Sequence, residues 1–107
     1  MLPFIDAQSE AIGEICRRFH VERLEVFGSA TGAGFDPGRS DLDFLVAFQA
    51  GSTSLENYLG LAEALEEVFG NSVDLVIERT IGNPYFRQTV DATRRLVYGH
   101  KEQEAAI

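Results

Sequence analysis

Two aspartates two positions apart open the apolar run "DLDFLV" (residues 41–46), and a third, Asp74, sits inside a later apolar run, "VDLV". Alternate residues of a strand share a face, so Asp41 and Asp43 project from the same side wherever the segment is extended. Aspartate is a poor strand former, and three of them set among apolar residues need a reason. If their oxygens converge to about 6 Å, each pair repels by about 3 kcal/mol at an effective dielectric near 20. Such a cluster needs a cation. Oxygen-only ligation, with no histidine or cysteine nearby in sequence, suits Mg²⁺ rather than Zn²⁺. The plain alternative is that the carboxylates line a solvated sheet face or a turn exit.

Upstream, Gly28-Ser29 breaks the strand-like run that ends at Phe27. A glycine there permits close backbone approach. A helical turn after it would aim N–H groups and the Ser29 hydroxyl at phosphate oxygens. Thr31 and Ser40 add nearby hydroxyls, and Arg39 a positive charge. The combination carries more weight than its parts: Gly-Ser, eleven residues, Asp-x-Asp on an apolar strand, then a carboxylate on a later strand.

The elements that must position these residues follow from periodicity. Ile12, Ile15, Cys16 and Phe19 predict an amphipathic helix over 6–20, and Leu24 and Val26 a short strand over 23–27. Residues 28–40 hold four of the ten glycines and the turn signal Asp36-Pro37-Gly38, and so read as a loop. From Asp41 to Phe48 the pattern alternates, with Leu42, Phe44, Val46 and Phe48 on one face and Asp41, Asp43, Leu45 and Ala47 on the other. Leu55, Tyr58, Leu59, Ala62, Leu65 and Phe69 predict a helix ended by Gly70-Asn71, and 73–77 a third strand. Asn83-Pro84 opens a last helix, expected to run to about Tyr98 with Gly99 as its stop. The fold class is therefore α/β of the α+β type, a small mixed sheet flanked by helices. The loop between the first two strands has no room for a crossover helix, so that pair is expected to be antiparallel, bringing Gly28-Ser29 beside Asp41 and Asp43.

At 107 residues the chain reads as a single domain over 1–107. Its net charge of -8 argues against direct DNA or RNA binding, which draws on a basic surface. Eight of the nine basic residues are arginine; Arg87, Arg94 and Arg95 are expected on a solvated helix face. Cys16, the sole cysteine, lies on the apolar side of its helix and reads as core. His20 and His100 fall at helix ends, and Tyr58, Tyr85 and Tyr98 read as packing or interface residues. No basic leader or membrane-length apolar run occurs, so a cytoplasmic chain without membrane contact is expected.

The stretch "GSATGAGFDPGRSDLDFLV" resembles the Gly-Ser, spacer, Ser-Asp-x-Asp signature of the minimal nucleotidyltransferases (MNT) of the DNA polymerase β-like superfamily. "VDLV" resembles their third-carboxylate strand, and "GNPYFRQTVDATRRLVYG" the end of their small bacterial members, so the likeness covers nearly the whole chain. Two departures are visible: Ala30 and Thr31 stand where many members carry an arginine, and the spacer is eleven residues rather than ten. The resemblance implies a polymerase β-like palm that transfers a nucleoside monophosphate, AMP from ATP, with two Mg²⁺ ions. It makes Asp41, Asp43 and Asp74 the catalytic and metal-binding carboxylates, and Gly28, Ser29 and Ser40 the nucleotide contacts. It also implies a partner, an all-helical HEPN ribonuclease toxin, neutralised by nucleotidylation, by binding, or by both; a homo-oligomer is compatible with it. The competing classes are a palm that acts by covering its partner's site, and a stand-alone enzyme that modifies a small molecule.

Overall fold

The computed structural model describes residues 3–31 and 41–99, with Ser29 and Ala30 described through their backbone alone. The expected Asp36-Pro37-Gly38 turn, Arg39, Ser40, His100 and residues 101–107 lie outside the described residues. In chain order the elements are α1 (Pro3–Asp6), α2 (Ser9–Arg18), β1 (Val21–Phe27), a 3-10 turn (Gly28–Thr31), β2 (Leu42–Phe48), α3 (Leu55–Phe69), β3 (Val73–Ile77), a second 3-10 turn (Glu78–Thr80), α4 (Pro84–Thr93) and β4 (Arg95–Tyr98).

The strands form one sheet in the order β3-β2-β1-β4. β1 pairs antiparallel with β2, as the short connection requires, and antiparallel with β4; β2 and β3 are parallel. A parallel pair needs a crossover of a dozen residues or more, which α3 supplies. Ser54 caps that helix by accepting a hydrogen bond from the Asn57 N–H at 3.1 Å, and Gly70 closes it with its N–H on the Glu66 carbonyl.

The alternation in β2 separates two faces. On one, Leu24, Val26, Leu42, Phe44 and Val46 pack against Ile12, Ile15 and Cys16 of α2 and Leu61 and Leu65 of α3. Fully burying a side chain of this kind contributes about 1.5–3 kcal/mol. Cys16 belongs to this core as expected, and burial pushes its thiol up to about 12, against a weaker opposing pull from Arg17. On the other face Phe27, Leu45 and Val90 form a smaller cluster under α4, with Phe86 set edge-on against Phe27 at 5.9 Å between ring centres.

The last of the described segments departs from expectation. α4 stops at Thr93; Arg94 is extended (φ -63°, ψ 140°), and residues 95–98 are a strand rather than the end of a helix. Four residues are too few for a period of two to stand out, and the free edge of β1 supplies the hydrogen bonds that override the helical pattern. Gly99 ends the strand: its φ is +94° and a Cβ there would lie 2.3 Å from the Glu22 carbonyl oxygen. At the other end, the helix expected over 6–20 is the shorter α2, Ser9–Arg18, preceded by the unexpected turn of α1, and β1 begins at Val21 rather than at Arg23.

The arginines also depart from expectation. Of Arg87, Arg94 and Arg95, expected together on a solvated helix face, only Arg95 is exposed. Arg94 grips Glu25 through two nitrogens at 3.1 and 2.5 Å, and reaches Glu78 at 2.9 Å and Asp91 at 2.7 Å. Arg87 holds Glu78 at 3.1 Å, and Arg23 pairs with Glu25 at 3.3 Å and with Glu78. Three guanidinium groups thus meet three carboxylates between α4 and the sheet. Burial alone would raise Glu78; hydrogen bonds from Arg94 and Arg87 hold it below the usual carboxylate range. Hydrogen bonding to Glu25, first among its partners, makes Arg94 harder still to deprotonate.

Glu25 is only 6% exposed, so its charge depends on these partners. Arg94→Met leaves it with Arg23 alone and is expected to lower the unfolding free energy by about 2–4 kcal/mol. Adding Glu25→Leu should recover most of that loss. Urea melts of the three proteins check it; an Arg94→Met chain as stable as the parent would reduce the cluster to an ordinary surface ion pair.

Candidate active site

The carboxylates sit at one end of the α4 side of the sheet. β2 and β3 are in register with Asp43 directly opposite Asp74, and across β1 Asp43 faces Phe27. Asp43 and Asp74 are within hydrogen-bonding reach of each other. Asp41 stands exposed just before β2 and acts on Asp43 through space. Burial, then the Asp74 charge and hydrogen bond, then Asp41, push the Asp43 carboxyl up to about 6. Two carboxylates this close resist being charged together unless a cation joins them.

Among the described residues no group of three histidine, cysteine, aspartate or glutamate side chains could hold a metal ion by itself. The donor chemistry nevertheless fits Mg²⁺, which is commonly held by one or two carboxylates together with substrate phosphates rather than by an all-protein cage. Asp43 and Asp74 supply hard oxygens and a charge that a divalent ion would relieve.

Gly28 lies against this pair. Its φ is +75°, and a Cβ would come 2.7 Å from the Asp43 Oδ2. The close approach that the glycine permits is therefore to Asp43, and any side chain would push that carboxyl away. The 3-10 turn begins here, as the sequence suggested, and the Thr31 hydroxyl donates to the Gly28 carbonyl at 2.8 Å. The Gly28 N–H is already engaged, donating to the Thr93 Oγ1 at 2.9 Å. Of the remaining expected nucleotide contacts, the Ser29 side chain and Ser40 lie outside the described residues.

Thr93 and the Glu25–Glu78–Arg94 cluster were not found by sequence reasoning. Thr93 lies 65 residues from Gly28, and a lone threonine near a helix end carries no signal. Glu25 did carry one, an ionisable residue between Leu24 and Val26 in an apolar strand. Tyr58 packs as expected, its hydroxyl donating to the Leu75 carbonyl at 2.6 Å, whereas Tyr85 is 79% exposed.

The family model described as polymerase beta, nucleotidyltransferase, matches residues 10–103. A candidate protein adenylyltransferase of Methanocaldococcus jannaschii is 33% identical over 75 residues, spanning 69% of this chain and 74% of that protein. Among solved structures, a candidate minimal nucleotidyltransferase superposes with a TM-score of 0.70 at 38% identity, over 88% of this chain and 93% of its own. The MNT antitoxin in complex with a tri-AMPylated HEPN toxin of Shewanella oneidensis superposes with a TM-score of 0.66 at 20% identity, over 95% of this chain and 78% of that one. At that identity the likeness is one of fold.

Asp43 binds its proton more tightly folded than unfolded, so its contribution to stability is full below about pH 4 and is lost as pH rises through about 6. The site opens to water, which screens the effect to about 1 kcal/mol. Without divalent ions, Asp43→Asn is therefore expected to be more stable than the parent at pH 7 and no more stable at pH 4. Thermal melts across that range in EDTA check it; parallel curves for the two proteins would contradict the raised Asp43.

Proposed function

The chain belongs to the polymerase β nucleotidyltransferase family, and on that premise we propose that it transfers AMP from ATP to a partner protein, and is the antitoxin that neutralises a HEPN ribonuclease toxin. The observation that carries the transferase reading is the Asp43–Asp74 pair held against Gly28 at the strand ends. A protein as acceptor is supported by the 33% identical relative, a candidate protein adenylyltransferase. The HEPN partner is supported by the shared fold of the Shewanella antitoxin.

In this reading Asp41 and Asp43 hold Mg²⁺ and Asp74 is the third carboxylate. Bound Mg²⁺ supplies neutralisation of the carboxylates and of charge developing on the phosphoryl oxygens. Ser29 and Ser40 contact the triphosphate at the turn that Gly28 opens, and its α-phosphorus is attacked by a hydroxyl of the acceptor. A new P–O bond forms there, the bond to pyrophosphate breaks in line, and the acceptor proton passes to Asp74 or to water. The ion cluster leaves Arg23, Arg87 and Arg94 paired with this chain's own carboxylates, and in this reading the metal and Arg39 supply positive charge to the triphosphate.

A second reading, neutralisation by binding alone, is favoured by the net charge of -8, which complements a basic RNA-binding groove. One experiment separates the two: Mg²⁺-dependent transfer of label from α-labelled ATP onto the co-expressed partner, beside Asp41→Ala/Asp43→Ala. The expected result is label and a mass gain on the partner, falling at least about a hundredfold in the double variant. A silenced partner that takes no label from any of the four ribonucleoside triphosphates would replace the transferase with a binding antitoxin.

A further inference from the structure

We propose that Thr93 is the positioning residue of the nucleotide turn, fixing the Gly28 peptide so that the donors after it meet the triphosphate; this rests on the nucleotidyltransferase reading above. The Gly28 N–H donates to the Thr93 Oγ1 at 2.9 Å. The Thr93 hydroxyl in turn donates to the Thr89 carbonyl at 3.0 Å, so its own proton is committed along α4 and an oxygen lone pair is left aimed at Gly28. The Thr31 hydroxyl takes the Gly28 carbonyl at 2.8 Å. Gly28 is thereby held at both of its polar atoms while its φ is +75°.

That double hold matters because glycine is the residue with the most conformational freedom. Without the Thr93 oxygen, the Gly28 N–H loses its partner, and the peptide linking Phe27 to Gly28 is free to rotate. Any such rotation moves the turn relative to the Asp43 carboxyl, whose Oδ2 lies 2.7 Å from the Cβ position of Gly28. Thr93 is itself well anchored. Arg94, next in the chain, is tied to Glu25, Glu78 and Asp91, and Val90, one turn earlier, is fully buried against the sheet. The end of α4 is thus a fixed point from which the turn is set. The Gly28 N–H serves this anchor rather than a phosphate, which leaves phosphate binding to the backbone N–H groups that follow.

The test uses the full chain and the fluorescent analogue methylanthraniloyl-ATP with Mg²⁺, titrated against the parent, Thr93→Val and Thr93→Ser, with Thr93→Ala as a second deletion of the acceptor. Urea midpoints and the Gly28 amide resonance are measured for each. Thr93→Val and Thr93→Ala are expected to weaken binding about tenfold and shift the Gly28 amide. Thr93→Ser, which keeps the oxygen, should return affinity to within about twofold of the parent. A purely structural role predicts instead that affinity falls and recovers only in step with the urea midpoint across all the variants, and that result overturns the inference. So does a valine variant that binds as tightly as a parent that binds. A parent that binds no triphosphate overturns the nucleotidyltransferase reading, and this inference falls with it.

Discussion

The register of β2 against β3 is the constraint on which the rest depends, because it sets Asp43 opposite Asp74. Nothing about folding favours that placement: like charges on neighbouring strands repel, and burial adds to the penalty on Asp43. The register is held from behind. Leu42, Phe44 and Val46 face Val73, Leu75 and Ile77 across the same pair, and a slip of one residue would turn every one of them away from α2 and α3. An apolar core on one face thus offsets an unfavourable carboxylate pair on the other.

The α4 face of the sheet carries three groups of side chains. They are the carboxylates with Gly28 at the strand ends, the dry cluster of Phe27, Leu45 and Val90, and the ionic cluster of Glu25, Glu78, Arg87 and Arg94. α4 touches all three, through Thr93, Val90 and Arg94. A helix fixed by a desolvated ion cluster can carry a hydrogen bond to the turn with little play, which a helix lying on an apolar surface alone would not do. The same cluster withdraws three arginines from other work, and because three carboxylates are tied up with them the net charge of the remaining surface is unchanged.

The two faces of β2, the antiparallel pairing of β1 with β2, and the aspartates at the strand ends were legible because each rests on local pattern: alternation, loop length, and a residue type out of place in a strand. The ends of the chain were less legible. Residues 95–98 read as helix because Phe86, Val90 and Val97 share a helical face, whereas the strand exists only because β1 offers an unpaired edge. Arg94 reads as a solvated cation because its carboxylates come from β1 and from the turn after β3, 69 and 16 residues away.

What the sequence determined by itself is the inventory: three aspartates in apolar strands, a Gly-Ser turn before them, and an alternation that puts Asp43 opposite in face to the core. Those are properties of residues and their near neighbours, and period and spacing transmit them. What only the tertiary structure decided is which groups meet: Asp43 with Asp74, Gly28 with Thr93, and Glu25 with Arg94. Each of those contacts joins segments far apart in the chain, and the energy that fixes it is the burial of the apolar face behind it, which no local pattern encodes.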